Sequence, residues 1–130
     1  MASILRVNTL TDASSNNSVP MATVASGSAK CWMDLNGSGT IALRDSFNIA
    51  SVADNGTGLY TVSLTNDFES TNYIYSGSAE SAVDGQNGRG VTGVSTQILA
   101  GSSKLRACTL SSNTAEDLPH IRVGWWGDLA

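Results

Sequence analysis

Apolar and polar residues alternate in short runs along most of the chain. Turn-forming residues interrupt these runs roughly every 8–12 positions, which is the spacing typical of a β-sandwich or β-barrel. No long stretch places apolar residues at i, i+3, i+4 and i+7, as an amphipathic helix requires. The pattern predicts strands at residues 3–7, 19–24, 30–36, 40–44, 47–52, 59–64, 72–76, 91–99, 104–110 and 121–126.

The clearest of these strands precedes an Asn-Gly-Ser-Gly turn at residues 36–39. Cys31, Met33 and Leu35 occupy alternate positions, so their side chains share one face of the strand, while Trp32 lies on the other. The Asn-Gly pair predicts a hairpin, because it accepts positive φ at little cost. Alternation in the neighbouring strands extends the expected core to Cys31, Met33, Leu35, Ile41, Leu43, Phe47, Tyr60, Val62 and Leu64.

The turns and loops indicate how the strands are organised. Residues 54–58 (Asp-Asn-Gly-Thr-Gly) predict the strongest turn, and residues 84–90 predict a mobile surface loop. Short strands joined by polar loops favour an all-β fold, an antiparallel two-sheet sandwich of jelly-roll-like topology. The length suits a single domain over residues 1–130, with an N-terminal strand or arm at about residues 1–18.

Composition argues for a surface that neighbouring molecules cover. Charged residues make up only 14% of the chain, against about 25% in ordinary soluble domains. The net charge is −4 and the basic residues are scattered, so binding to nucleic acid is not expected. A chain this small also buries a modest core, and assembly into an oligomer compensates for that.

The sequence offers few groups for catalysis or metal binding. His120 is the single histidine, and no Gly-x-Ser-x-Gly motif accompanies it. Cys31 and Cys108 lack the spacing of a zinc site, and cytosolic synthesis favours two buried free thiols over a disulfide. Carboxylates occur mostly singly in turns, so nothing in their spacing supports a glycosidase pair. We therefore expect no catalytic residue, no metal and no cofactor.

Aromatic residues are the best candidates for a binding surface. Trp125 and Trp126 are adjacent, so in a strand they face opposite sides. We expect Trp125 to fill the core and Trp126 to lie outside, where it anchors a subunit contact or, as the alternative, stacks on a sugar. The full set of expected interface residues is Trp126, Trp32, Tyr73, Tyr75 and Ile4.

The N-terminus carries no recognisable targeting segment. Residues 1–8 lack the basic and apolar regions of a secretory signal peptide. No apolar run approaches the roughly 18 residues that would span a bilayer. We expect synthesis in the cytoplasm without insertion into a membrane.

Several successive motifs resemble a β-sandwich module of bacteriophage tail fibres and related virion proteins, particularly those of marine and freshwater phages. The opening Ser-Ile-Leu-Arg-Val is also similar to the lead-in of such modules, and the resemblance covers about residues 3–75. The motifs are Ala-Lys-x-Trp at 29–32, Asn-Gly-x-Gly-Thr at 36–40, Ser-Phe-Asn-Ile at 46–49, Asp-Asn-Gly-x-Gly-x-Tyr-Thr-Val at 54–62 and Asn-Tyr at 72–73.

The resemblance implies a trimeric β-sandwich in a virion appendage, without an active site. The first hypothesis is therefore a tail-fibre or spike module that trimerises, touches other virion proteins and contacts a host-surface glycan. The alternative is a capsid decoration protein that clamps capsid subunits. A third hypothesis, a glycan-degrading enzyme, requires a carboxylate pair in a groove. The first two place a protein made in the host cytoplasm in the virion.

Overall fold

The structure, a computed structural model, describes residues 4–82 and 88–130. Over these residues the chain forms ten β-strands and one short helix. The elements are β1 (Thr9–Thr11), β2 (Ser18–Pro20), α1 (Met21–Gly27), β3 (Cys31–Asn36), β4 (Ala42–Phe47), β5 (Ile49–Asp54), β6 (Leu59–Leu64), β7 (Ile74–Glu80), β8 (Arg89–Leu99), β9 (Ser102–Thr109) and β10 (His120–Trp126).

Eight of the strands hydrogen-bond into one antiparallel sheet in the order β4-β3-β10-β7-β8-β9-β6-β5. This sheet curls until it is nearly barrel-shaped, and β1 and β2 form a separate two-stranded ribbon. The all-β antiparallel fold expected from the sequence is confirmed. Both halves of the sheet contribute side chains to one core, so the eight strands share a single interior.

A bend at Asn48 joins the two edges of the sheet. Asn48 has φ +59°, a left-handed conformation that asparagine tolerates better than most residues. Its Nδ2 donates to the carbonyl oxygens of Lys30 (3.2 Å) and Asn66 (3.0 Å), and its Oδ1 accepts from the Asn66 backbone N–H at 2.8 Å. One side chain thus ties the bend between β4 and β5 to the start of β3 and the end of β6.

Alternating residues of β3, β6, β9 and β10 fill the interior. Cys31, Met33 and Leu35 of β3 are buried as the sequence predicts. Tyr60 and Val62 of β6 are buried as well. The complete buried apolar set is Cys31, Met33, Leu35, Tyr60, Val62, Phe68, Ala79, Leu105, Ala107, Cys108, Leu118, Ile121, Val123 and Trp125.

Both cysteines are buried free thiols, as expected from the sequence. Cys31 is 0% exposed and Cys108 is 1% exposed. Burial raises the pKa of the Cys31 thiol to about 12, because desolvation disfavours the thiolate. Neither thiol is accessible on the folded surface.

The prediction that Leu43 and Phe47 belong to the core is wrong. A bulge shifts the pairing of β3 with β4. Asp34 pairs with Asp45 and Leu35 with Leu43, so Arg44 has no partner on β3. Phe47 consequently lies opposite the outward-facing Trp32 and is 54% exposed. Leu43 lies on an edge strand and is 36% exposed, because no further strand covers it. The other two, Ile41 and Leu64, are partly buried against the core.

The segment between β9 and β10 closes one end of the barrel. It buries Leu118, whose carbonyl oxygen accepts from Gly37 N–H at 2.9 Å. Asp117 Oδ1 accepts from Gly58 N–H (2.7 Å) and from the Tyr60 hydroxyl (3.0 Å). Gly58 has φ +65°, and a Cβ there would lie 2.5 Å from a backbone oxygen of β9, so only glycine fits this turn. The turns after β3 and β5 are thereby fixed to the same end.

Glu116 fixes this segment to β8 and β9. Its Oε1 accepts from the Thr109 hydroxyl at 2.8 Å, and its Oε2 accepts from Arg89 Nε at 2.5 Å. The Thr109 hydrogen bond, together with that of Arg89 and its positive charge, lowers the pKa of the Glu116 carboxyl. The end of the barrel is therefore held by an ionised carboxylate.

The N-terminal region differs from the sequence prediction. Of the strand predicted at residues 3–7, residue 3 lies outside the described residues, and residues 4–7 belong to no strand. The strand predicted at residues 19–24 ends at Pro20, which lacks the N–H for a ladder, and α1 follows. A seven-residue helix is too short to show the periodic pattern by which helices are predicted.

Elsewhere the predicted strands differ from the structure mainly at their ends. β4 begins at Ala42 and β7 at Ile74, and both strands start and end later in the sequence than the predicted strands at residues 40–44 and 72–76. The loop predicted at residues 84–90 lies mostly outside the described part of the chain, and its last residues, Arg89 and Gly90, begin β8.

Replacement of Asn48 should destabilise the barrel. We expect Asn48→Ala to lower the free energy of unfolding by about 3 kcal/mol, since it removes several hydrogen bonds and disfavours the left-handed conformation. Asn48→Gly keeps that conformation and should cost about 1 kcal/mol less. Urea unfolding of the three proteins measures both effects. Equal stability of Asn48→Ala and the native protein would show that the bend does not depend on this side chain.

Protonation of Glu116 should contribute to acid destabilisation. Its pKa is depressed below 4.5 in the folded state, so its contribution is full above that pH and is lost as the pH falls through the folded value. We expect Glu116→Gln to be less stable than the native protein at about pH 7, with a smaller difference at about pH 3. Urea midpoints at both pH values test this, with exposed Glu69→Gln as the control. A difference that stays constant with pH contradicts the assignment.

Candidate assembly surface

Four large apolar side chains form a line across the outer face of β4, β3, β10 and β7. Trp32 pairs with Phe47 on one side and with Gly124 on the other. Trp126, two residues after Gly124, faces the same way and pairs with Ile74. We call Phe47, Trp32, Trp126 and Ile74 the outer row.

Gly124 makes the outer row continuous. A Cβ at this position would lie 3.0 Å from the Trp126 ring, so the indole packs over the glycine backbone. Trp126 is partly buried although it points away from the core.

Three of the four side chains in the outer row are solvent-exposed in the isolated chain. Phe47 is 54% exposed, Ile74 69% and Trp32 39%. Single exposed apolar residues are ordinary, whereas adjacent ones on one face mark interaction sites. The row has the aromatic character that interface centres favour.

A polar cluster borders the outer row on the same face. Asp34 is two residues from Trp32 and pairs with Arg122 on β10 and with Asp45 on β4. One Asp34 oxygen is 3.5 Å from Arg44 Nη1 and the other is 3.5 Å from Arg122 Nε. Arg122 also contacts Glu80 on β7. We call Asp34, Arg44, Asp45, Glu80 and Arg122 the polar cluster; it has one more carboxylate than guanidinium groups.

His120 lies within this cluster. Its Nδ1 is 3.1 Å from both Arg44 Nη1 and Arg122 Nη2, and 3.5 Å from Asp34 Oδ1. The imidazole thus links two arginines on the outer face.

Residues 4–28, which we call the N-terminal arm, have no core of their own. None of them is buried, and Met21 alone is partly buried. β1 and β2 are three residues each, and α1 has neither a side-chain cap nor a buried residue. Short ribbons and single helical turns are marginal without packing. The exposed large apolar residues of the arm are Ile4 (76%), Leu5 (80%), Val7 (37%), Leu10 (46%), Val19 (41%) and Val24 (38%).

Local hydrogen bonds shape the turn of the arm. Asp12 accepts from the Asn16 backbone N–H at 3.0 Å and from the Asn17 side-chain amide at 2.7 Å. The hydrogen bond from Asn17 is the main cause of a lowered Asp12 pKa. Met21 N–H donates to Asn8 at 2.9 Å and joins the start of α1 to the ribbon. The arm therefore has defined local structure, although nothing covers its apolar side chains.

The structure divides the interface residues expected from the sequence. Trp32 and Trp126 lie in the outer row, and Ile4 lies on the arm. Tyr73 stacks on the core residue Phe68 with ring centroids 4.4 Å apart. The Tyr75 hydroxyl accepts from a backbone N–H of β8, so both tyrosines face inward and are partly buried.

Two members of the outer row cannot be placed there by the alternation that predicts the core. Alternation puts Phe47 in the core, because it does not reveal the bulge between β3 and β4. Ile74 could have been found, because it alternates with Tyr73 and Tyr75, which face inward. Trp125 is 1% exposed, as expected, which places its neighbour Trp126 on the outer face.

Two further findings concern the described residues only. No group of three or more His, Cys, Asp or Glu side chains there is arranged to hold a metal ion. No helix in residues 4–82 and 88–130 is long and apolar enough to cross a membrane.

No protein-family model, curated protein or solved structure matches this chain. The resemblance to a phage tail-fibre module therefore depends on the motifs between residues 3 and 75. The outer row and the N-terminal arm are the structural features from which a function can be argued.

Substitution of the two adjacent tryptophans should have different effects. Trp125→Ala should lower the free energy of unfolding by about 3–5 kcal/mol, because it leaves a large cavity in the core. Trp126→Ala should leave the fold nearly as stable and weaken self-association, because its ring lies outside. Urea unfolding and sedimentation of both variants measure these outcomes. If Trp126→Ala left assembly unchanged but abolished attachment to host cells, the outer row would be a receptor contact instead.

Proposed function

We propose that this protein is a structural subunit of a bacteriophage virion, which works as one copy in a symmetric trimer. The observation that carries the proposal is the N-terminal arm, which exposes six large apolar residues and buries none. The resemblance to tail-fibre modules supports the virion and favours a fibre or spike.

The arm is explained by association with a neighbour. A chain segment loses conformational entropy when it is ordered, and burial of apolar surface normally compensates for that loss. Within one chain, the arm gains almost no such burial. One side of a standard interface takes about 20–30 residues, and an arm of this length provides that number.

The barrel suits the same role. Its sheet curves so that both halves contribute to one core, and its all-β antiparallel strands fit the kind of module that the resemblance implies. The outer row is a second uncovered apolar surface, and charged residues are only 14% of the sequence. A trimer with cyclic symmetry would let each copy offer one surface and receive the other.

The proposal assigns no catalytic step to the chain. The only histidine uses Nδ1 to link two arginines, and the interior is filled by apolar side chains. The partners are further copies of the chain and other virion proteins. A host-surface glycan is the ligand expected of a fibre, and the aromatic outer row has the chemistry to stack on one.

The oligomeric state tests the proposal directly. We expect sedimentation equilibrium to give a mass about three times the 13.5 kDa of the chain at micromolar concentration. A folded monomer at this concentration contradicts the trimer.

Copy number in purified virions tests the location. A fibre or spike should be present in tens of copies, on the order of the symmetry of the tail, whereas a capsid decoration protein should be present in hundreds. Quantitative mass spectrometry against the major capsid protein gives this ratio. Absence of the chain from purified virions contradicts both.

A further inference from the structure

We infer that the N-terminal arm of one copy lies on the outer row of a second copy, with residues 4–7 as its apolar contact. This inference rests on the proposed self-assembly and names the two surfaces that carry it. Both surfaces are uncovered within one chain.

The arm leaves the barrel next to the outer row. Cys31 pairs with Trp125, and Lys30 N–H donates to the Trp125 carbonyl oxygen at 2.8 Å. The last residue of the arm, Ser28, is thus only four positions before Trp32. In a symmetric assembly, neighbouring copies can therefore bring the outer row of one next to the arm of another.

The chain's own arm does not cover its own outer row. Ile4 is 76% exposed and Leu5 80%, while Phe47 is 54% exposed and Ile74 69%. Both surfaces thus keep large apolar side chains exposed within one chain.

The charges of the two surfaces are complementary as well. Residues 4–7 carry one charge, that of Arg6, which is exposed. The polar cluster beside the outer row has three carboxylates and two guanidinium groups. An arm seated on the outer row would place Arg6 near these carboxylates.

Disulfide trapping in the full chain tests the inference. We would mix a tagged Leu5→Cys protein with an untagged Phe47→Cys protein under mild oxidation and analyse the products by mass. Both native thiols are buried, so only the introduced ones are accessible. We expect a covalent dimer that contains one chain of each kind. Such a product identifies a contact between copies, because the two cysteines are on different chains.

A matched control uses the opposite end of the barrel. Ser111 is exposed and follows β9, near the end that the segment between β9 and β10 closes, away from the outer row. Leu5→Cys mixed with Ser111→Cys should give little covalent dimer. Equal yields from the two mixtures would mean random collision and would overturn the inference.

A chain that carries both Leu5→Cys and Phe47→Cys distinguishes contact within one copy from contact between copies. We expect covalent oligomers up to the size of the native assembly. A crosslinked monomer would place the arm on its own outer row and overturn the inference. No crosslink in a protein that sediments as a trimer would also overturn it, while leaving the proposed function intact. A monomer throughout would contradict both.

Charge substitutions give an independent test. Leu5→Asp and Phe47→Asp each alter a residue that is exposed in the single chain, so circular dichroism should stay native. Each should weaken self-association by at least about tenfold, because it places a charge in an apolar contact. Thr71→Asp, at an exposed position outside both surfaces, is the control. Native association in both variants would overturn the inference.

Discussion

The barrel depends on the bend at Asn48. β4 and β5 are consecutive, yet they form opposite edges of the sheet, so the chain must turn sharply in one residue. The left-handed backbone of Asn48 provides the turn, and its side chain ties Lys30 to Asn66 across it. The two edges of the curled sheet are therefore held together at this bend by polar contacts as well as by the core.

The strands that could be predicted from the sequence are those with strict alternation. β3, β6 and β10 have one buried and one outward face, so pattern alone assigns Cys31, Met33, Tyr60, Val62 and Trp125 correctly. The bulge in the pairing of β3 and β4 cannot be recognised in this way, because it depends on two strands at once. Strand order is also a property of pairs of strands, so the alternation within single strands does not determine it.

The candidate site was partly predictable for a similar reason. Adjacent residues of a strand face opposite sides of the sheet, so the pair Trp125 and Trp126 by itself predicts that one tryptophan lies on the outer face. The exposure of the N-terminal arm could not be predicted. The sequence of Ile4, Leu5 and Val7 predicts a strand. Such a pattern shows which side chains need burial, but it does not show which molecule buries them. Their burial, on the inference above, is a property of the assembly.

The position of β10 has a consequence for the order of folding. It is the last strand of the described chain, yet it lies between β3 and β7 near the middle of one half of the sheet. During synthesis, β3 and β4 can form a hairpin, but they join β7 only after β10 has emerged. Contacts so distant along the chain slow folding, and the unfilled gap leaves two strand edges bare meanwhile. Chains that lack β10 therefore keep exposed strand edges, and only chains that include it can complete the barrel.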